Sequence, residues 1–121
     1  MGSLCKTVLV VDDEAFLRLC ARDVLEQAGF EVLEASDGQE ALGVLSAHDG
    51  IDAVVTDVRM PGPVDGLALA HAMRRSHPDV RSLVVSGHAI AADACAGDVD
   101  RFLPKPYSGE VLVTTLRSML S

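Results

Sequence analysis

The chain has 121 residues, enough for one domain with a single core, and its 18 acidic against 10 basic residues give a formal charge of −8. That balance argues against direct nucleic-acid binding, which wants a basic stripe, and neither a membrane-length apolar run nor a secretory signal is present in the sequence. Three cysteines, Cys5, Cys20 and Cys95, are an odd number without metal-ligand spacing and point to a reducing, cytoplasmic setting.

Residues 1–5 read as a short leader, in keeping with a cloning tag; the lipidation pattern begun by Met1-Gly2 fails at Lys6. Residues 1–121 are otherwise read as one domain without repeats. The first strand is expected over Thr7–Val11. A helix then runs from Glu14 to Ala28 and stops at Gly29, with Leu17, Ala21, Val24, Leu25 and Ala28 as its inward stripe. Cys20 reads as a small buried residue of this helix. Phe16 and Leu19 fall beside the stripe, as ordinary partly exposed residues or as part of a docking face.

A second strand, Glu31–Ala35, leads to a helix opened by the capping box Asp37-Gly38-Gln39-Glu40, burying Ala41, Leu42 and Leu45. The third strand spans Ala53 to Thr56. A third helix spans Asp65 to Ser76 and is stopped by Pro78. The fourth strand covers Ser82 to Val85; the Ala-rich stretch from Ala89 to Ala96 is a weak fourth helix. A short fifth strand, Arg101 to Leu103, precedes a helix capped by Ser108 that buries Val111, Leu112, Leu116 and Met119. The first, third and fourth strands are continuous aliphatic runs, as strands buried on both faces of a parallel sheet require. Five such units predict a flavodoxin-like doubly wound (βα)5 sandwich, its parallel sheet in the order 2-1-3-4-5.

Charges gather where these strands end. Asp12 and Asp13 follow the first, Asp57 the third and Lys105 the fifth. Ligands of such folds bind past the carboxyl ends of the strands, where the winding reverses. Three carboxylates and one ammonium in one crevice call for a divalent cation, and make Asp57 a candidate nucleophile toward phosphorus. Asp12 and Asp13 could instead simply cap the first helix, Ser86 be a turn residue and Lys105 a surface lysine, but none of these explains the set. His48, His71 and His77 read as solvated helix residues without ligand spacing.

The ordered set Asp12-Asp13, Asp57 with Met60-Pro61, Ser86-Gly87 and Lys105-Pro106 resembles the receiver domain of bacterial two-component response regulators, from Val8 to about Leu120. The resemblance implies that Asp57 accepts a phosphoryl group from a sensor histidine kinase or a histidine phosphotransfer protein. It implies Mg2+, or Mn2+ in its place, held by Asp13, Asp57 and the Arg59 carbonyl, with Asp12 acting through a water. Ser86 would be the switch hydroxyl, Lys105 the phosphate-binding ammonium and Phe102 the switch aromatic. Gly87 leaves room for the phosphoryl group, and the Lys105–Pro106 bond would be cis. Such a domain is no turnover enzyme; it assists its own phosphorylation and a slow self-dephosphorylation, and can form a weak homodimer.

Three departures stand out. The loop from Met60 to Gly66 is one residue longer than the family's common form. The segment between Ser86 and Lys105 is shorter, which puts the usual output face in doubt. Arg59 and His88 occupy positions that tune phosphoryl lifetime. The rivals are an aspartyl-phosphate hydrolase, which needs an acid where Arg59 stands; a flavin module, which needs a hydroxyl- and Gly-rich phosphate loop where Asp12-Asp13-Glu14 would repel phosphate; and a phosphorylation-independent binding module. A stand-alone regulator, a phosphate shuttle or sink, and a piece of a larger protein all remain compatible.

Overall fold

Helix and strand alternate wherever the apolar spacing changes from every third or fourth residue to every residue. The computed structural model describes residues 5–87 and 98–121. Among these, β1 (Thr7–Val11), α1 (Ala15–Gln27), β2 (Glu31–Ala35), α2 (Gly38–Ala47), β3 (Ala53–Asp57), α3 (Gly66–Ser76), β4 (Arg81–Ser86), β5 (Arg101–Pro104) and α4 (Gly109–Leu120) follow in order. The sheet is parallel throughout and runs β2-β1-β3-β4-β5, as the sequence implies. The expected helix between β4 and β5, with His88 and Cys95, lies outside the described residues.

Successive strand residues point to opposite faces, and the core divides accordingly. Val8, Val10, Val55, Leu83 and Val85 face Leu25 of α1 and Leu112 and Leu116 of α4. Leu9, Val11 and Val54 face Ala41 and Leu45 of α2 and Leu69 and Met73 of α3. This two-sided burial is why β1, β3 and β4 read as unbroken aliphatic runs. Gly29 stops α1 with a φ of 98°, a backbone that residues with a Cβ rarely adopt.

Local chemistry sets the helix starts. The Asp65 and Ser108 side chains accept the Ala68 and Val111 N–H groups as caps of α3 and α4. Asp37 accepts the Glu40 N–H at 2.8 Å, but Glu40 does not return the bond to Asp37. Its carboxylate reaches one residue further back, to the Ser36 N–H at 2.6 Å and the Ser36 hydroxyl at 2.8 Å, and these two bonds hold its pKa below the ordinary value.

Three expected burials fail. Leu17 is 41 % exposed and Cys20 is exposed, because the first turns of α1 stand beyond the strand ends; both line an open groove rather than the core. Val111 is 45 % exposed, since the inward stripe of α4 is Leu112–Leu116 and its preceding neighbour is turned away by about 100°. Phe16 and Leu19 are exposed too. His48 and His77 are C-caps of α2 and α3 rather than interior residues, and His71 pairs with Asp98 at 3.0 Å.

Asp100 ties the start of β5 to β4. Its Oδ2 accepts the N–H of Ser82 at 2.8 Å, and its own N–H donates to the Ser82 hydroxyl at 3.2 Å. Ser82 is 2 % exposed, so an Asp100→Ala variant strands a buried donor. A loss of about 1–3 kcal/mol is expected from the urea midpoint, with Asp100→Asn, which keeps an acceptor, intermediate.

Candidate functional site

The register brings the charged strand ends together. Val11 pairs with both Thr56 and Ala35, so Asp12 stands level with Asp57. Ser86 pairs with Pro104, and the Lys105 N–H donates to the Ser86 carbonyl at 2.9 Å, so Ser86 and Lys105 are tied at the same edge. The site is therefore built from residues 12, 57, 86 and 105, gathered by three strand pairings.

Asp57 is the centre. Lys105 Nζ donates to Asp57 Oδ2 at 2.5 Å, and the Arg59 N–H donates to Oδ1 at 3.2 Å. The Lys105–Asp57 pair is part-exposed, with side chains 37 % and 18 % accessible, and pairs of that kind contribute only about 0–1 kcal/mol to stability. Its weight is in the local charge. Burial alone would lower the Lys105 pKa, yet the bond to and charge of Asp57 overcome it and the net shift is upward. Burial raises the Asp12 carboxyl; the Asp57 and Asp13 charges add to this, while the Glu14 N–H and Lys105 oppose it. Asp12 thus feels the charge of both other carboxylates.

Asp12 Oδ1 accepts the Glu14 N–H at 2.9 Å in a local turn. The N-cap of α1 is Glu14, without a side-chain cap bond, so Asp13 does not cap this helix. Asp13 is exposed at the mouth of the crevice. Among the described residues no three acidic, His or Cys side chains converge tightly enough to hold an ion as they stand; Asp57 is engaged by Lys105 and the Arg59 N–H, and Asp12 by the Glu14 N–H. The donor chemistry fits a hard divalent cation nonetheless: every candidate ligand is an oxygen, and two carboxylates already raise a third.

Ser86 is 8 % exposed at the end of β4, and Gly87 follows it on the surface. Phe102 is partly buried against Ala70, Val84 and Val99. Met60 is partly buried and its sulfur accepts the Thr56 hydroxyl at 3.7 Å; Pro61 is exposed. The Lys105–Pro106 bond is cis. Arg59 is exposed, and among the described residues its guanidinium enters no ion pair. Beside the crevice a groove of about 370 Å³ runs between α1 and α4, lined by Asp12, Leu17, Cys20, Lys105, Tyr107 and Leu112. Burial pushes the Tyr107 phenol up. A larger hollow of about 590 Å³ lies at the opposite end of the sheet, near Phe30 and Ile51, away from these charges.

Two supports are absent from the sequence reading. Gly66 packs directly on the end of β3: a Cβ there would stand 2.0 Å from the Asp57 carbonyl oxygen. Arg18 reaches back from α1 to the Asp12 carbonyl at 2.6 Å. The Asp-Gly pair at the start of α3 signals a cap, but nothing in the sequence indicates close backbone packing.

The chain belongs to the response regulator receiver domain family, whose family model matches residues 8–117. It is 41 % identical to the sensor kinase CckA of Brucella abortus over 94 % of this chain and 12 % of that protein. It is 38 % identical to the response regulator MprA of Mycolicibacterium vanbaalenii over 93 % of this chain and 49 % of that one. The chain thus spans at most about half the length of these curated relatives. Among solved structures, a response regulator receiver protein of Sinorhizobium medicae is 36 % identical with a TM-score of 0.87, covering 96 % of this chain and 94 % of that one. The response regulator TrrA of Thermotoga maritima, in complex with Mg(2+)-BeF, is 28 % identical with a TM-score of 0.87, covering 95 % of this chain and 99 % of that one. No described helix is long and apolar enough to cross a membrane.

Proposed function

We propose that this receiver domain takes a phosphoryl group from a phosphohistidine onto Asp57. The observation that carries this is the Lys105 ammonium lying on Asp57 at the strand ends, level with Asp12. A carboxylate oxygen of Asp57 attacks phosphorus, the phosphorus–nitrogen bond breaks, and its electron pair stays on the donor imidazole. Asp12, Asp13, Asp57 and the Arg59 carbonyl would hold Mg2+, which when bound supplies neutralisation of the carboxylates and of a phosphoryl oxygen. The complex of TrrA with Mg(2+)-BeF supports that choice. Lys105 supplies a point charge to a second oxygen, and the Ser86 hydroxyl serves the third, with Gly87 leaving space.

Phosphorylation replaces the Asp57 carboxylate by an acyl phosphate of about −2 charge, roughly one negative charge more, carried on three strong acceptor oxygens. Ser86 and Lys105 follow that charge, and Phe102 with them shifts a pre-existing equilibrium toward an active form. The exposed Phe16, Leu17 and Leu19 on α1, beside the crevice, offer an apolar surface to the kinase or phosphotransfer protein that donates. Self-dephosphorylation is slow because the Arg59 cation shields the phosphoryl group from water, and His88 holds the second sequence position at which the family tunes that lifetime. Arg59→Ala and His88→Ala should therefore shorten the acyl-phosphate lifetime, read by decay of the labelled protein; equal lifetimes in parent and both variants would remove this role.

The test of the whole is intact mass after acetyl phosphate. Wild type should gain one phosphoryl group with Mg2+ and none with a chelator, and Asp57→Ala should gain none in either case. Turnover of a generic phosphate ester would instead favour a hydrolase.

A further inference from the structure

The acidic loop after β1 is tied down twice, and both ties end on β2. The Asp12 N–H donates to the Ala35 carbonyl at 3.1 Å. The Asp12 carbonyl accepts from Arg18 Nη1 at 2.6 Å, and the same guanidinium donates from Nε to Glu34 Oε1 at 2.9 Å. Glu34 Oε2 in turn accepts from Arg22 Nη1 at 2.5 Å, and Arg22 Nε reaches Glu26 at 3.1 Å. Arg18 and Glu34 are largely covered, at 18 % and 21 % side-chain exposure, while the outer Arg22 is at 42 %. Burial would raise the Glu34 carboxyl, but the two arginines outweigh it and hold it below the ordinary value.

The peptide so clamped joins Asp12 to Asp13. Holding the Asp12 carbonyl fixes the ψ of Asp12, and with it the direction in which the chain carries Asp13 past Asp12. The Asp12 carboxylate is itself held by the Glu14 N–H two residues on, so the turn that Arg18 fixes sets how the two carboxylates stand relative to each other. We infer that Arg18, locked by Glu34 and Arg22, is a positioning residue that presents the Asp12–Asp13 pair to the divalent cation. This rests on the cation and acceptor reading given above.

Two effects of Arg18 oppose each other. A guanidinium near a cation site repels the cation, and removing it should tighten binding by that amount. Here the charge is already matched by Glu34 at 2.9 Å, so the net field at the crevice is small and the lost orientation dominates. Lysine keeps the charge but not the planar fork that serves a carbonyl and a carboxylate at once, so it should not rescue.

The experiment is an amide NMR titration with Mg2+ alone, on wild type, Arg18→Ala, Arg18→Lys and Glu34→Gln, each also followed by thermal unfolding. Arg18→Ala and Arg18→Lys should weaken Mg2+ binding by about tenfold or more, the scale on which outer partners of metal ligands act, and Glu34→Gln by less. Acetyl phosphate uptake by Arg18→Ala should recover as Mg2+ is raised at a temperature well below its unfolding midpoint, where the variant is already fully folded and stabilisation by bound Mg2+ adds no further folded protein. Should Arg18→Ala fail to fold, Glu34→Gln carries the comparison. Unchanged or tighter Mg2+ binding in the folded variants, with wild type binding normally, overturns the clamp alone. Wild type that neither binds Mg2+ nor takes up phosphoryl overturns the reading beneath it as well.

Discussion

Gly66→Ala is expected to unfold at a clearly lower urea concentration than wild type, and Gly43→Ala at a slightly higher one. The two substitutions add the same methyl group to two helices and differ only in what it meets. At Gly66 a Cβ would stand 2.0 Å from the Asp57 carbonyl oxygen, 2.8 Å from its carbon and 3.0 Å from the Val58 Cα, all backbone atoms that cannot rotate aside. The Gly66 N–H also donates to the Val58 carbonyl at 2.9 Å, so α3 cannot back away without breaking that bond. Overpacking of this kind costs about 1–3 kcal/mol or more. At Gly43 nothing lies within 4 Å, and an exposed helix interior gains about 0.5–1 kcal/mol from Gly to Ala. Because the two most crowded atoms belong to Asp57, the proposed acceptor, Gly66→Ala should also slow phosphoryl uptake more than its stability loss explains. Equal midpoints for the two variants would mean that α3 does not press on the end of β3.

Lys105→Ala is expected to do the reverse, sparing the fold while disabling the chemistry. Its ion pair with Asp57 is part-exposed, so the urea midpoint should move by no more than about 1 kcal/mol of stability. The uptake of phosphoryl from acetyl phosphate, at fixed Mg2+, should fall by about 100-fold, the scale on which removal of one donor to developing charge acts. Without the ammonium, Asp57 faces Asp12 and Asp13 with one positive charge fewer as a second anion approaches. Lys105→Arg restores the charge but places a planar fork where a point charge fits, and should recover only part of the rate. A wild-type rate in Lys105→Ala would remove Lys105 from the site.

The sequence made the sheet legible because β1, β3 and β4 are buried on both faces and must be aliphatic without a break. It made Asp12 and Asp57 legible because a charge directly after such a run lies at the sheet's end, and Lys105 because a proline on each side of it argues for a fixed backbone. It did not reveal Leu17, Cys20 or Val111 as exposed. Periodicity gives the face of a helix but not how far the helix slides past the strands, and the first turns of α1 lie past their ends. It assigned the capping box to Asp37 and Glu40, whereas the Glu40 carboxylate also had Ser36 within reach. Gly66 and Arg18 were invisible for a related reason: each acts through a neighbour, Asp57 or Glu34, that is distant in the chain or meets it only once β2 lies beside α1.

Everything proposed for the crevice comes back to whether residue 57 is the atom donor in a new bond to phosphorus. Borohydride reduction of the protein after acetyl phosphate and Mg2+, followed by peptide mapping, locates that bond directly. Reduction at Asp57 alone, absent when Mg2+ is chelated, is the expected result. Reduction at Asp12 or Asp13, or none anywhere in a protein that binds Mg2+, would contradict it.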